Sequence, residues 1–203
     1  MNTVLLSEAS VVFNDDDSYE RIRREQEYLE YIIEHINFVK KAYVMYFVPL
    51  LDKSGISSKI SDEQLKDAIE ELALTIETHD ASKFSDSEFN GYRAKYYPTR
   101  KEESVDDGEY RKLLDDMYDE CWKHHYETND HHAKHWVDPE TNIPRDMSLR
   151  AIVEMICDWE AMSMKFNSST LTWYENDAKD EKECLSPKTK EIVEELLYNV
   201  LHK

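Results

Sequence analysis

Two stretches carry side chains whose types and spacing could do chemistry: "ETHDASKFS" (77–85) and "WKHHYETNDHHAKHW" (122–136). In the first, His79 stands beside Asp80 at the end of an apolar run. In the second, His124, His125, His131, His132 and His135, five of the chain's eight histidines, fall within twelve residues. Imidazoles and carboxylates gathered together make a ligand set for a borderline transition-metal ion. Each residue alone has an ordinary explanation. Asp80 could cap a helix, and a histidine on an apolar face is commonly a satisfied core residue.

The faces on which these residues fall argue for more. Residues three and four apart share one side of a helix. His35 therefore points with Ile32 and Val39, and His79 follows Leu72 and Ile76 on one stripe. His125 shares a face with Leu114, Tyr118 and Cys121, while His124 lies nearer Met117 and Cys121. Asp158 is flanked by Met155, Ala161 and Met162. An unpaired buried carboxylate is costly, so an Asp on such a face needs either a buried Lys or Arg, or a cation. Four helices each directing a His or Asp inward would all be satisfied by one metal centre.

The elements that must position these groups read as helices. Apolar residues recur at three- and four-residue steps from Tyr19 to about Phe47, with Asp17 or Ser18 as a cap and Pro49 and Gly55 marking the end. "SDEQ" (61–64) is a capping box that opens a helix running toward His79, and "SDSE" (85–88) looks like a second, starting a short helix before "YYPTR". Residues 98–109 read as a polar loop. Helices follow over Tyr110 to about Tyr126, over 146–166, and from Pro187 to Leu201. No repeat and no convincing alternating strand is present, so the expected class is all-α: an acidic tail over 1–17, then one domain over 18–203.

Composition limits the partners. The 203 residues, 40% hydrophobic and 11% aromatic, can bury a sizeable core, and only 3 Gly and 5 Pro favour long helices. A net charge of −19 repels long nucleic acids and anionic membranes, because phosphates are bound largely through Lys and Arg. A small phosphorylated ligand stays open if cations sit locally in its pocket. The three cysteines are widely spaced and odd in number, which is no disulfide framework. The start "MNTVLLSEAS" lacks a basic segment and a long apolar run, and no stretch reaches membrane-spanning length. A cytoplasmic protein of a reducing compartment is expected.

Ordered along the chain, the site residues read H…HD…H…HH…D: His35, His79-Asp80, His124 or His125, His131-His132 and Asp158. This order resembles the two-metal form of the HD-domain superfamily of metal-dependent phosphohydrolases. "HDASK" is similar to the His-Asp-x-Gly-Lys of HD phosphodiesterases, with Ser82 in place of the glycine. Over roughly residues 27–202 the segments "HDASKFSDSEFNGYRAKYYP", "WKHHYETNDHHAKHW", "EMICDWEAM" and "WYENDAKDEKECLSPKTKEIVEELL" also resemble a family of bacteria and their phages without a settled activity. One departure is "SPKTK" (186–190), where "HPxTR" is expected.

The resemblance implies an HD-like helical bundle around a central site for two divalent transition-metal ions, Mn, Fe, Co, Ni or Zn. His35, His79, Asp80 and Asp158 would hold one ion. Asp80 would bridge to a second, completed by His131, His132 and one of His124 and His125. The implied activity is hydrolysis of a small nucleotide or cyclic nucleotide by a metal-activated hydroxide in a bacterial or phage-infected cell. Lys83 would meet a phosphate oxygen or the leaving group; Arg93 and His135 are further candidate substrate contacts. Self-association is an option. Two alternatives share the ligand set: a di-iron oxygenase on the same fold, and a non-catalytic metal- or nucleotide-binding protein, with anti-defence work in a phage as one setting.

Overall fold

"AIVEMICDW" has apolar side chains on nearly every side, and a helix of that kind has to be surrounded. The computed structural model describes residues 15–104 and 108–201, and all the regular elements among them are helical. They include α1 (Asp15–Ala42), α2 (Asp62–Thr75), α3 (Phe89–Tyr96), α4 (Arg100–Ser104), α5 (Gly108–Thr128), α6 (Leu149–Phe166), α7 (Thr170–Asn176), α8 (Lys179–Glu183) and α9 (Pro187–Leu196). The only extended pairing among the described residues is an isolated bridge between Val137 and Pro144. The fold is all-α, as the periodicity predicts.

Helix α6 is the central element, with Ala151 through Cys157 all buried. Its N-terminus is fixed by Ser148, whose side chain accepts from the Ala151 N–H. Asn167, at φ 50°, closes its C-terminus in the left-handed conformation that asparagine tolerates. Helices α1 and α2 pack on it and α9 backs it, giving a core that includes Val39, Leu72, Ile152, Ile156 and Leu196. A smaller cluster of Tyr28, Ile32, Tyr92 and Cys121 joins α1 to the α3–α5 pair. His35 lies on α1 between residues of the two clusters.

Several expectations are met in detail. The Ser61/Gln64 capping box forms with both of its hydrogen bonds, and Pro187 occupies the first turn of α9 behind the Ser186 cap. Others are corrected. Most of the 1–17 tail, residues 1–14, lies outside the described residues, and α1 begins at Asp15, ahead of the expected cap. "SDSE" forms no capping box, because the Glu88 side chain turns inward to His124 and His125 instead of back to the helix start. The expected loop over 98–109 contains α4. Glu102 reaches back to the Thr99 N–H and to both terminal nitrogens of buried Arg93, at 2.5 and 2.8 Å, which fixes this turn. Helices α7 and α8 fill a stretch the apolar pattern leaves unassigned. Among the described residues no helix is long and apolar enough to cross a membrane.

One surface clasp makes a pH-dependent prediction. Glu195 on α9 accepts from the N–H groups of Ser58 and Lys59 and from the Ser57 and Ser58 hydroxyls, tying the segment before α2 to the C-terminal helix. Partial burial works against the carboxylate, but these donors prevail and bring its pKa from 4.5 to about 2. A depressed carboxyl pKa contributes stability above the unfolded value, and that contribution is lost as pH falls through the folded value. The Tm of the wild type should exceed that of Glu195→Gln near pH 6, with the gap closing between about pH 4.5 and 2. A gap unchanged near pH 2 would contradict the clasp.

Candidate metal centre

The HD dipeptide sits where the chain changes direction. A 3-10 turn (Ile76–Thr78) extends α2, His79 leaves it at φ −48° and ψ 131°, and Asp80 takes φ 55° before a second 3-10 turn, Ala81–Phe84. Aspartate is among the few residues that enter the left-handed region at modest cost. The kink lets two successive side chains face one point, which neither a straight helix nor a strand allows. Both are buried, at 2% exposure.

Around Asp80 the other groups converge from three helices and a loop. His35 comes from α1, Asp158 from α6, His125 from α5, and His131 and His132 from the loop after α5. The two carboxylate oxygens of Asp80 face different partners. Oδ2 lies 3.4 Å from His35 Nε2 and 3.5 Å from His79 Nε2. Oδ1 lies 3.3 Å from His125 Nε2 and 3.4 Å from His131 Nε2. Asp158 Oδ1 completes the first side, 3.0 Å from His35 Nε2 and 3.9 Å from His79 Nε2. His132 Nε2 completes the second, 2.8 Å from His125 Nε2. Ligand atoms about 2.1 Å from a tetrahedral ion stand about 3.4 Å apart. Most of these separations match that spacing better than the shorter one of a hydrogen bond.

Buried polar atoms ordinarily have a partner. Here His79 Nε2, His131 Nε2 and Asp80 Oδ1 are buried with no hydrogen-bond partner among the described residues. All three point into the same space. The grouping of potential ligand atoms gives Asp80, His125, His131 and His132 as one set, with His35, His79 and Asp80, and His79, His131 and Asp158, as overlapping sets. The donors present therefore fit metal ions.

The far sides of two of the imidazoles are held. His79 Nδ1 lies 2.9 Å from Glu154 Oε1, and His125 Nδ1 lies 2.8 Å from Glu88 Oε2. A proton on each Nδ1, donated to these carboxylates, leaves Nε2 as the bare nitrogen facing the centre. Glu154 is bound in turn by Arg150, which also reaches Asp130.

Electrostatics point the same way. Burial lowers the pKa of His79 and takes that of His132 well below its usual value, helped there by His131 and His125. Both imidazoles are thus neutral, as ligands must be. Burial alone would raise the pKa of Asp80. Lys83 and His79, with His125 and His131 close by, overcome it and hold the carboxyl well below its ordinary range. Burial likewise opposes ionisation of Asp158, but its contact with His35 keeps it ionised. Burial also disfavours a charge on His35, yet Asp158 and Asp80 push its pKa up to about 9. The two carboxylates thus draw positive charge to the centre.

Of the residues singled out from sequence, His35, His79, Asp80, Lys83, His125, His131, His132 and Asp158 come together. Lys83 Nζ donates to Asp80 Oδ2 at 2.6 Å. Three do not join them. His124 turns outward, its side chain 39% exposed, and bonds the other oxygen of Glu88 at 2.7 Å. Arg93 is committed to Glu102. His135 donates to the Tyr126 carbonyl at 3.0 Å and packs against Trp136. His125→Ala should lower metal affinity at least about tenfold, the smaller loss seen when even a supporting group is removed. His124→Ala should bind metal as the wild type does, and titration calorimetry with Mn reads both; equal losses would contradict the assignment.

Glu88 and Glu154 were missed by sequence reasoning. Glu154 did leave a signal: it is an acid inside the apolar run of α6, one turn before Asp158. A cavity of about 500 Å³ opens beside the centre, walled by Tyr28, Tyr31, Tyr92 and Trp122 and reaching Lys83, His125 and His132. A larger one, about 660 Å³, lies against Trp159 and Trp173 but touches no candidate ligand. The smaller cavity is the one that belongs to the chemistry.

No match was found among curated proteins or among solved structures. The sequence profile of a family of unknown function, DUF5662, matches residues 24–199, and the chain belongs to that family.

Proposed function

We propose that the protein is a metal-dependent phosphohydrolase of the HD type, acting on a small phosphorylated molecule, a nucleotide first among the candidates. The observation that carries this reading is Asp80, whose two oxygens face two separate sets of imidazole nitrogens. His35, His79, Asp80 and Asp158 would hold one ion, and Asp80, His125, His131 and His132 the other. Two ions bound there would supply an activated water and neutralise phosphoryl oxygens.

The chain's own residues do the rest. Asp80 spans the two positions, and Glu154 and Glu88 keep the imidazoles turned toward them. Lys83, 2.6 Å from Asp80, places an ammonium beside the centre where it can pair with a phosphoryl oxygen or the leaving group. Together with the metal charge it offsets the repulsion expected from a −19 surface. The aromatic walls of the adjoining cavity suit a planar base and exclude water from the reacting end. The order H…HD…H…HH…D supports the HD assignment.

The test is phosphate release from a panel of nucleoside mono-, di- and cyclic phosphates by protein loaded with Mn, Fe, Co, Ni or Zn in turn. Release with at least one metal is expected. In Lys83→Ala that release should fall about tenfold or more, the effect of losing one charged hydrogen bond of about 1.5–3 kcal/mol. No release from metal-loaded protein would contradict the reading. Uptake of O₂ by the iron form would replace it with oxygenase chemistry.

A further inference from the structure

Two tyrosines that wall the cavity beside the metal centre have hydroxyls that no described residue uses. Tyr28 on α1 and Tyr92 on α3 are buried, at 1% and 5% exposure, and both line the cavity with Lys83. Neither Oη has a hydrogen-bond partner among the described residues. Other tyrosines here find one: buried Tyr43 donates to the Ile69 carbonyl at 2.9 Å, and Tyr96 and Tyr118 bond each other at 2.9 Å. Leaving a buried hydroxyl unsatisfied is destabilising, so a purely structural role would be filled better by phenylalanine. Two such hydroxyls, on residues that wall one cavity, point to a ligand.

The chemistry of the surrounding groups narrows the ligand. Lys83 Nζ lies 5.8 Å from the Tyr92 ring centroid and carries donors only. Burial, reinforced by the charges of Asp80 and Glu88, raises the pKa of both phenols, so they remain protonated donors. Of the nearby carboxylates, Asp80 is bound by Lys83 and Glu88 by His124 and His125. An ammonium and two hydroxyls suit an oxyanion.

We propose that Tyr28, Tyr92 and Lys83 form a cradle for the phosphoryl group of the substrate, with the two tyrosine hydroxyls as its specificity-determining contacts. This rests on the phosphohydrolase reading for the identity of the oxyanion. The ester's non-bridging oxygens accept from the cradle on one side and face the metal positions on the other. The organic part then lies outward along the Tyr31 and Trp122 walls.

The test is titration calorimetry of inorganic phosphate into metal-loaded protein, comparing wild type with Tyr28→Phe, Tyr92→Phe and the double variant. Each lost hydroxyl should weaken phosphate about tenfold, since hydrogen bonds to charged groups contribute about 1.5–3 kcal/mol. Metal content should stay at the wild-type value. The Tm of each variant should be unchanged or higher, because the substitution removes an unsatisfied buried group; a structural role would lower it. Wild-type phosphate affinity in the double variant would overturn the proposal, as would wild-type protein that holds metal yet binds no phosphate. Phosphate binding that depends on the two hydroxyls, in protein that turns over no phosphate ester, would uphold the cradle while removing the phosphohydrolase reading.

Discussion

Asp80→Asn protein is expected to fold, and to lose both metal ions together. Asparagine keeps the size of the side chain and tolerates φ 55°, so the kink between the two 3-10 turns survives. Its amide presents one neutral oxygen and an NH₂ group. One of the two imidazole sets would then face donor hydrogens where it now faces a carboxylate oxygen. Affinity at both positions should fall by more than about a hundredfold, beyond the range seen when a supporting group alone is removed. Any metal-dependent turnover should fall with it. Asp158→Asn should act differently, because Asp158 Oδ1 lies closest to His35 and His79, the imidazoles that face Asp80 Oδ2. Titration of each variant with Mn separates the cases. An Asp80→Asn protein that keeps one ion at wild-type affinity would refute the bridging role.

The second large effect concerns packing beneath the site. Gly91 on α3 lies against α5, and a Cβ built there would overlap Cys121 Sγ and stand 2.9 Å from the Met117 carbonyl oxygen. Rotation of Cys121 could relieve the first contact, but the second is backbone and yields only if α5 moves. Overpacking of this kind costs about 1–3 kcal/mol. Alanine's better helix propensity returns about 0.5–1 kcal/mol, so the loss prevails. Gly91→Ala should melt about 2–5 °C below wild type, given about 2–4 °C per kcal/mol for a domain of this size. Cys121→Ala in the same chain should recover part of the deficit, leaving the carbonyl contact. Because α5 carries His125, metal should bind more weakly on the Oδ1 side of Asp80. A Gly91→Ala protein melting at or above the wild-type temperature would contradict the α3–α5 packing described.

Much of the fold was legible because helical periodicity is a local signal. The apolar steps of α1, the Ser61 and Gln64 pair and the continuous apolar run of α6 each specify their element without help from the rest of the chain. The convergence of His35, His79 and Asp158 was legible for the same reason, since each shares a face with core residues, whereas Asp80 was singled out by its place in the H…HD…H…HH…D order. What was not legible depends on tertiary partners. "SDSE" has the spacing of a capping box, yet Glu88 is taken by two histidines from α5, a long-range preference no window of sequence contains. Arg93 looked like a pocket residue until Glu102 from α4 claimed it. His124 and His125 are adjacent and both neighbour Cys121, so only the packing of α3 on α5 separates the inward from the outward ring. The cavity tyrosines come from α1, α3 and α5, and their shared wall exists only after those helices meet.

The central claim, a two-ion centre spanned by Asp80, is tested most directly by elemental analysis of protein purified without a His tag and without added metal. The account predicts close to two transition-metal ions per chain. Protein that is metal-free as purified, and that takes up none of Mn, Fe, Co, Ni or Zn on incubation, would contradict it.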